Sequence, residues 1–239
     1  GVQTNSTAID NTGSSQATAV TSSINQARLA LDTFVGDAET ARMLMGMLLR
    51  NVNTAGLPLP RTTPAEIEAL LYGTLLNPAT GLYDTVRVLD RNGNVVAVSS
   101  SNIASGMSTG GQTTQDAFRA AQAGLAEGRT QTLTVATQAD GTGALDYTIA
   151  LLWRDGRALG YVVGRMSNSR VIYPGLRFPP EIGRDFGFSY LISVDGDVIA
   201  YPEAFARATE VGDFNLARAA FTGATGVTTI TDSSGTRRA

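Results

Sequence analysis

The 239-residue chain contains no Cys and no His, and all 18 of its basic residues are Arg, so Lys is missing as well. These absences exclude imidazole acid–base chemistry, thiolate nucleophiles, Cys/His zinc sites, Ser–Lys dyads and Schiff-base lysines. Only carboxylate chemistry, assisted by Tyr or Arg, stays open to an enzyme. Disulfides are excluded too, which fits an extracytoplasmic domain that needs none and fits a cytoplasmic protein equally well. No apolar run approaches the ~20 residues of a membrane-spanning helix. Net charge is −3. Nucleic-acid binders concentrate positive charge on one face, so no nucleic-acid partner is expected.

What is present is ample for a packed core: 43% of the residues are hydrophobic. The chain opens at Gly1 with no initiator Met and no signal-peptide pattern, which leads us to expect a piece of something longer.

From Gln16 to Val52 the apolar residues keep one spacing. Val20, Ile24, Ala27, Leu31, Phe34, Ala38, Ala41, Met45, Leu48 and Val52 follow at alternating steps of four and three. That is the 3.5-residue repeat of a helix burying one narrow stripe. At about 1.5 Å per residue such a helix is on the order of 55 Å long, more than one small domain needs. The expectation is a spine for lobes of this chain that also contributes to a homodimer.

Gly56, Pro58 and Pro60 break the pattern, and Thr63-Pro64-Ala65-Glu66 reads as a capping box that opens a short helix to about Leu76. From Leu82 the period changes to two. Thr85–Asp90 and Asn94–Ser99 flank Arg91-Asn92-Gly93 as a hairpin. Ser100 to Gly111 is a Ser/Gly-rich loop, and Thr113 to Glu127 is a helix closed by Gly128. Gln131–Thr137, Ala144–Trp153 and Arg157–Met166 complete a five-stranded antiparallel sheet. After a linker over residues 173–180 the pattern restarts with Phe188–Val194, an Asp195-Gly196 turn and Asp197–Tyr201. Short helices at Pro202–Ala208 and Phe214–Phe221 and a strand at Val227–Thr231 follow. The second lobe thus repeats the first without its last strands.

A long N-terminal helix followed by two lobes, each opening on such a hairpin, resembles the double Cache sensor domain of bacterial transmembrane receptors. The residues that carry the resemblance are Thr85 to Ala97, Tyr147 to Gly164 around Trp153-Arg154-Asp155-Gly156, and Tyr190 to Pro202 around Asp195-Gly196. The fold class it implies is α+β, with two PAS-like lobes, each an antiparallel sheet flanked by helices, and the second incomplete at its C-terminus. The expected organisation is a stalk and spine helix over 1–56, a membrane-distal lobe over 57–172 and a membrane-proximal lobe over 173–239. The resemblance also implies an extracytoplasmic location and an output module such as a histidine kinase, chemotaxis transducer or nucleotide cyclase. The membrane would be reached only through segments absent from this chain. A small molecule would bind in the distal lobe, and no cofactor is expected.

Transferred by position, the ligand site falls on Phe118 and Arg119, at the helix after the Ser/Gly loop, and on Asp140, Asp146 and Tyr147 around the second strand pair. The Arg-x-Trp-Tyr type run of amino-acid-binding members is replaced here by Thr114-Gln115-Asp116-Ala117-Phe118. Each residue also has a plainer reading. Arg119 suits a carboxylate ligand, or a surface pair with Asp116 or Glu127. Tyr147 and Trp153, six apart on one strand, face the same side and line a pocket or the core, while Asp146 faces the other. Asp140 is also a turn residue by type. Asp90-Arg91-Asn92-Gly93-Asn94 lacks the ligand series of a calcium loop and is expected to be a turn. Asp195, Asp197, Glu203 and Glu210 are the only grouping that suggests paired-carboxylate catalysis, and the chain is not expected to be an enzyme. Two functions compete: a ligand-sensing ectodomain, or a non-sensing dimerisation or partner-interaction module.

Overall fold

A computed structural model of the chain describes residues 2–50, 59–101, 112–137, 143–176, 191–192, 198–200, 230–231 and 237–238. Two compact units divide it: Ile24–Val171, and Gly1–Ser23 together with Ile172–Ala239.

Helix α1 runs Val2–Gly36 and α2 runs Ala38–Leu48. The expected single helix over Gln16–Val52 is therefore corrected: it starts earlier, and it breaks at Asp37. The Asp37 backbone is extended (φ −64°, ψ 131°), and its carboxylate accepts a hydrogen bond from the Thr40 amide at 2.9 Å, capping α2. The backbone and side-chain bonds with Thr40 hold that carboxyl below the usual carboxylate range. The break rephases the apolar stripe. Ala27, Leu31 and Phe34 are buried as the period requires, but beyond Asp37 the buried positions are Thr40, Leu44, Gly46 and Met47, and Thr40, Leu44 and Met47 stand one residue ahead of Ala41, Met45 and Leu48.

Helix α3 (Pro64–Thr74) opens on the expected capping box. The Thr63 hydroxyl accepts from the Glu66 amide at 3.3 Å, and Glu66 accepts from the Thr63 amide at 2.7 Å. The next strands are β1 (Tyr83–Asp90) and β2 (Val95–Ser100). Helix α4 (Gln112–Ala126) precedes β3 (Gln131–Thr137), β4 (Gly143–Leu152) and β5 (Ala158–Met166). The five strands form one antiparallel sheet in the order β2-β1-β5-β4-β3, as expected. Glu68 of α3 accepts from the Val98 amide of edge strand β2 at 3.2 Å, so part of that edge is covered.

Helices α1 and α2 pack on one sheet face. A Cβ at Gly164 would meet the Tyr83 ring at 2.5 Å and Leu31 at 3.2 Å, and one at Gly160 would meet Leu48 at 3.0 Å. Close backbone approach is what these glycines permit. The opposite face packs Leu89, Ala150, Tyr161 and Val163 against Ala117, Phe118 and Ala121 of α4. Because helices cover both faces, β1, β4 and β5 are buried almost continuously instead of alternating.

In the smaller unit the Gln16 amide donates to the Leu176 carbonyl at 3.2 Å. Residues 173–176, expected as linker, form a 3-10 turn with Gly175 and Leu176 buried. Strands β6 (Leu191–Ile192) and β7 (Val198–Ala200) pair antiparallel within the expected second hairpin. Strand β8 (Ile230–Thr231) falls in the last expected strand and pairs with β9 (Arg237–Arg238), which was not anticipated. The helices expected at 202–208 and 214–221, most of the 100–111 loop, and Asp195, Asp197, Glu203 and Glu210 lie outside the described residues.

Candidate functional site

Strand register sets three rows of side chains across the sheet face that α4 covers. The first row, Val95–Leu89–Tyr161–Ala150, is apolar. The second is Val98–Arg87–Val163–Thr148–Thr132, and the third is Ser100–Thr85–Arg165–Asp146–Thr134. Phe118 stands over the apolar row, edge-on to Tyr161 with ring centroids 5.2 Å apart and planes at 87°. Such a pair contributes roughly 0.5–1.5 kcal/mol beyond area burial. Along this face the surface grades from hydrocarbon to charge within three rows.

The charged part is buried. Asp146 is fully enclosed and accepts two hydrogen bonds from Arg165, from Nε at 2.9 Å and from Nη2 at 2.8 Å. Burial alone would lower the pKa of Arg165, but the bonds and charge of Asp146 outweigh it and raise it. Arg87, in the interior strand β1, is 8% exposed, and its Nε and Nη1 have no hydrogen-bond partner among the described residues. Burial, then repulsion from Arg165, lowers its pKa, with Asp146 opposing. The buried hydroxyls of Thr148, Thr132 and, on the sheet-facing side of α4, Thr114 also lack partners among the described residues. Asp84, beside the β1 irregularity, has its pKa raised by burial, with Ser167, Arg170 and Arg165 opposing. Three guanidiniums, those of Arg87, Arg165 and Arg170, thus outnumber the two carboxylates of Asp84 and Asp146.

The residues singled out from sequence fall in different places. Phe118 and Asp146 share the α4 face. Tyr147 is buried on the opposite face, where its hydroxyl donates to Asp32 Oδ1 of α1 at 2.8 Å and the Arg28 guanidinium lies 5.2 Å from its ring centroid. Burial first, and then the Asp32 bond, pushes the Tyr147 phenol up to about 12. Arg119 is exposed and pairs with Asp116 at 3.5 Å. Asp140 lies outside the described residues. The expected common face for Tyr147 and Trp153 does not follow: the register shifts between Leu151 and Leu152, and Trp153 sits in the turn beyond β4. Asp90 is a turn residue, its carboxylate accepting from the Asn92 and Asn94 amides at 2.8 and 2.9 Å. Among the described residues no three acidic side chains come together as a metal site would need.

Arg87 and Arg165 were not singled out from sequence. The available signal is an Arg between Val86 and Val88, and another between Gly164 and Met166, in strands otherwise apolar.

No family model matches the chain, and no curated protein matches it. Solved structures do. The ligand-binding domain of the Pseudomonas aeruginosa PAO1 amino acid chemoreceptor PctC, in complex with GABA, superposes with a TM-score of 0.50 at 15% identity, covering 95% of this chain and 88% of that one. The sensor domain of the Vibrio cholerae histidine kinase DctB gives 0.47 at 20% identity over 71% of this chain; the match spans 59% of the DctB domain's length. The ligand-binding domain of the Campylobacter jejuni chemoreceptor Tlp3, in complex with L-norvaline, gives 0.43 at 12% identity, with 87% and 78% covered. At these identities the PctC likeness establishes the fold: the chain has the α+β, PAS-like Cache fold that its sequence resembles.

Proposed function

We propose that this chain is the extracytoplasmic ligand-sensing domain of a bacterial transmembrane receptor. Residues 57–172 form its membrane-distal lobe and 173–239 its membrane-proximal one, and a histidine kinase, chemotaxis transducer or nucleotide cyclase is its output. The observation that carries this reading is the buried charged surface beside α4, in a fold shared with a chemoreceptor's ligand-binding domain. A core without a ligand to bind gains nothing from an unpartnered guanidinium.

A small molecule would lie on the rows containing Arg87 and Asp146, with Phe118 at the apolar end. Sensing needs two arrangements that differ in affinity for it. The Tyr147–Asp32 bond supplies a link from β4 to α1, the helix that continues back to Val2. Among the described residues no helix is long and apolar enough to cross a membrane.

A thermal-shift screen of small acids, amines, sugars and purines is the test. Saturable stabilisation, kept in Arg119→Ala and lost in Arg87→Gln, is the expected result. Silence across all four classes would favour the second reading, a dimerisation or partner-interaction module. That reading draws on Leu29, 64% exposed on α1. A Leu29→Gln change that dissolves a dimer seen by light scattering would support it.

A further inference from the structure

Arg87 and Arg165 are neighbours on one sheet face with opposite fortunes. Arg165 has its carboxylate: Asp146 accepts from both Nε and Nη2. Arg87 has none among the described residues, although it is 8% exposed and lies on the interior strand β1. A guanidinium cannot shed its charge at physiological pH, so burial without a counter-charge is costly unless something else supplies the acceptors.

Asp146 is committed to Arg165, since each of its oxygens accepts from that guanidinium and neither is hydrogen-bonded to Arg87. Asp84 stands beside Arg165 and Arg170. On the row of Arg87, beyond Val163, the hydroxyls of Thr148 and Thr132 are buried and unpartnered among the described residues. Among the described residues the surface is therefore rich in donors and carries one excess positive charge. Beside it runs the hydrocarbon of Leu89, Tyr161, Ala150 and Phe118.

We infer that this face binds a small carboxylate with an apolar body and no ammonium group: Arg87 takes the carboxylate on one edge of its guanidinium, Thr148 adds a hydroxyl, and the α4 side takes the hydrocarbon. A planar fork of two N–H donors matches a carboxylate edge. An ammonium group favours an uncommitted carboxylate, and the described residues of this face offer none: Asp146 is engaged by Arg165, and Asp84 stands beside Arg165 and Arg170. This inference rests on the sensing reading and names its ligand class.

The test compares matched pairs by calorimetry on the whole chain: propionate against L-alanine, and butyrate against GABA, with propylamine as the cation alone. Propionate and butyrate are expected to bind at least tenfold more tightly than their amino counterparts, and propylamine not at all. Arg87→Met should weaken the carboxylates by roughly tenfold to a hundredfold. It should also leave the ligand-free melting temperature equal or higher, since a costly buried charge is gone. A lower melting temperature together with unchanged carboxylate affinity would make Arg87 structural and overturn the inference. If Arg87→Met does not fold, Thr148→Val keeps the question open to test: a loss of several-fold in carboxylate affinity supports the site and unchanged affinity overturns it. Tighter binding of L-alanine or GABA overturns the ligand class while leaving sensing intact. Silence of every carboxylate overturns it too, and the sensing reading falls with it only if amines, sugars and purines are silent as well.

Discussion

The phenol of Tyr147 donates to Asp32 across 115 residues of sequence, at 2.8 Å. Gln131 of β3 reaches the same Asp32 oxygen at 3.0 Å, so one carboxylate on α1 gathers two strands of the sheet. The Ala27 carbonyl, just over one turn earlier on α1, accepts from Tyr83 of β1 at 2.6 Å. Helix and sheet are thus pinned by three long-range polar contacts as well as by the Leu31 stripe.

Tyr147→Phe removes the hydroxyl and leaves a charged acceptor one bond short. Bonds to charged groups contribute about 1.5–3 kcal/mol, and partial exposure of Asp32 places the expected loss near the lower figure. Urea denaturation of the two proteins measures it, and an unchanged midpoint would mean that solvent replaces the phenol without cost.

Asp146→Asn breaks a buried, doubly hydrogen-bonded pair and leaves Arg165 uncompensated. A loss of about 3–5 kcal/mol is expected, whereas the double change Asp146→Leu with Arg165→Met should recover much of it. A double-mutant cycle by chemical denaturation reads the coupling. A double variant whose loss equals the sum of the losses of Asp146→Leu alone and Arg165→Met alone would show the pair to be uncoupled.

Leu31→Glu or Phe34→Glu places a carboxylate inside the α1–sheet packing, which neither can leave without opening the core. The expected cost exceeds about 4 kcal/mol, most of the roughly 5 kcal/mol that holds a domain at the low end of ordinary stability. Circular dichroism checks this; unchanged melting with loss of a dimer would place the stripe against a second copy instead.

Gly93→Ala meets two obstacles. The backbone φ is +84°, and the new Cβ would lie 2.7 Å from the Phe118 ring. Gly156 has φ +83° with open space around it, so Gly156→Ala isolates the backbone contribution. About 1 kcal/mol is expected for Gly156→Ala and about 2–3 kcal/mol for Gly93→Ala. Equal losses would remove Phe118 from the account of that turn.

Asp84 carries the pH dependence most open to test. Burial holds its folded pKa above the unfolded one, so the folded state binds its proton more tightly. That contribution to stability is complete below the unfolded pKa and is lost as pH rises through the folded pKa. Asp84→Asn should therefore stabilise the protein near neutral pH and make no difference at about pH 3, where the acid is already neutral. Melting curves at both values decide it, and an effect of the opposite sign at neutral pH would show that Ser167, Arg170 and Arg165 outweigh burial.

Local chemistry was legible wherever its partners lie within a few residues. The reciprocal Thr63–Glu66 cap, the Asp90 turn with left-handed Gly93, and the strands from Tyr83 to Met166 follow from short-range bonds and a two-residue period. The same short range explains the error in the first helix. An Asp that caps a new helix in the middle of an apolar stripe leaves the stripe's spacing intact on paper, while the extended backbone at Asp37 turns the following residues by one position.

The candidate site was legible only in part, for a different reason. Phe118 and Asp146 were reached by position, but Arg87 looks in the sequence like any charge on a half-exposed strand. Strand order decides otherwise: β1 lies between β2 and β5, α1 and α2 close one face and α4 the other, and Arg87 is left inside with no ion-pair partner among the described residues. The sequence by itself determined the elements and their turns, because helix caps, left-handed glycines and side-chain periods act over a few residues. Which charges are buried, and which of them find a partner, was decided only by tertiary structure, since desolvation and pairing depend on segments about a hundred residues apart, as Asp32 and Tyr147 are.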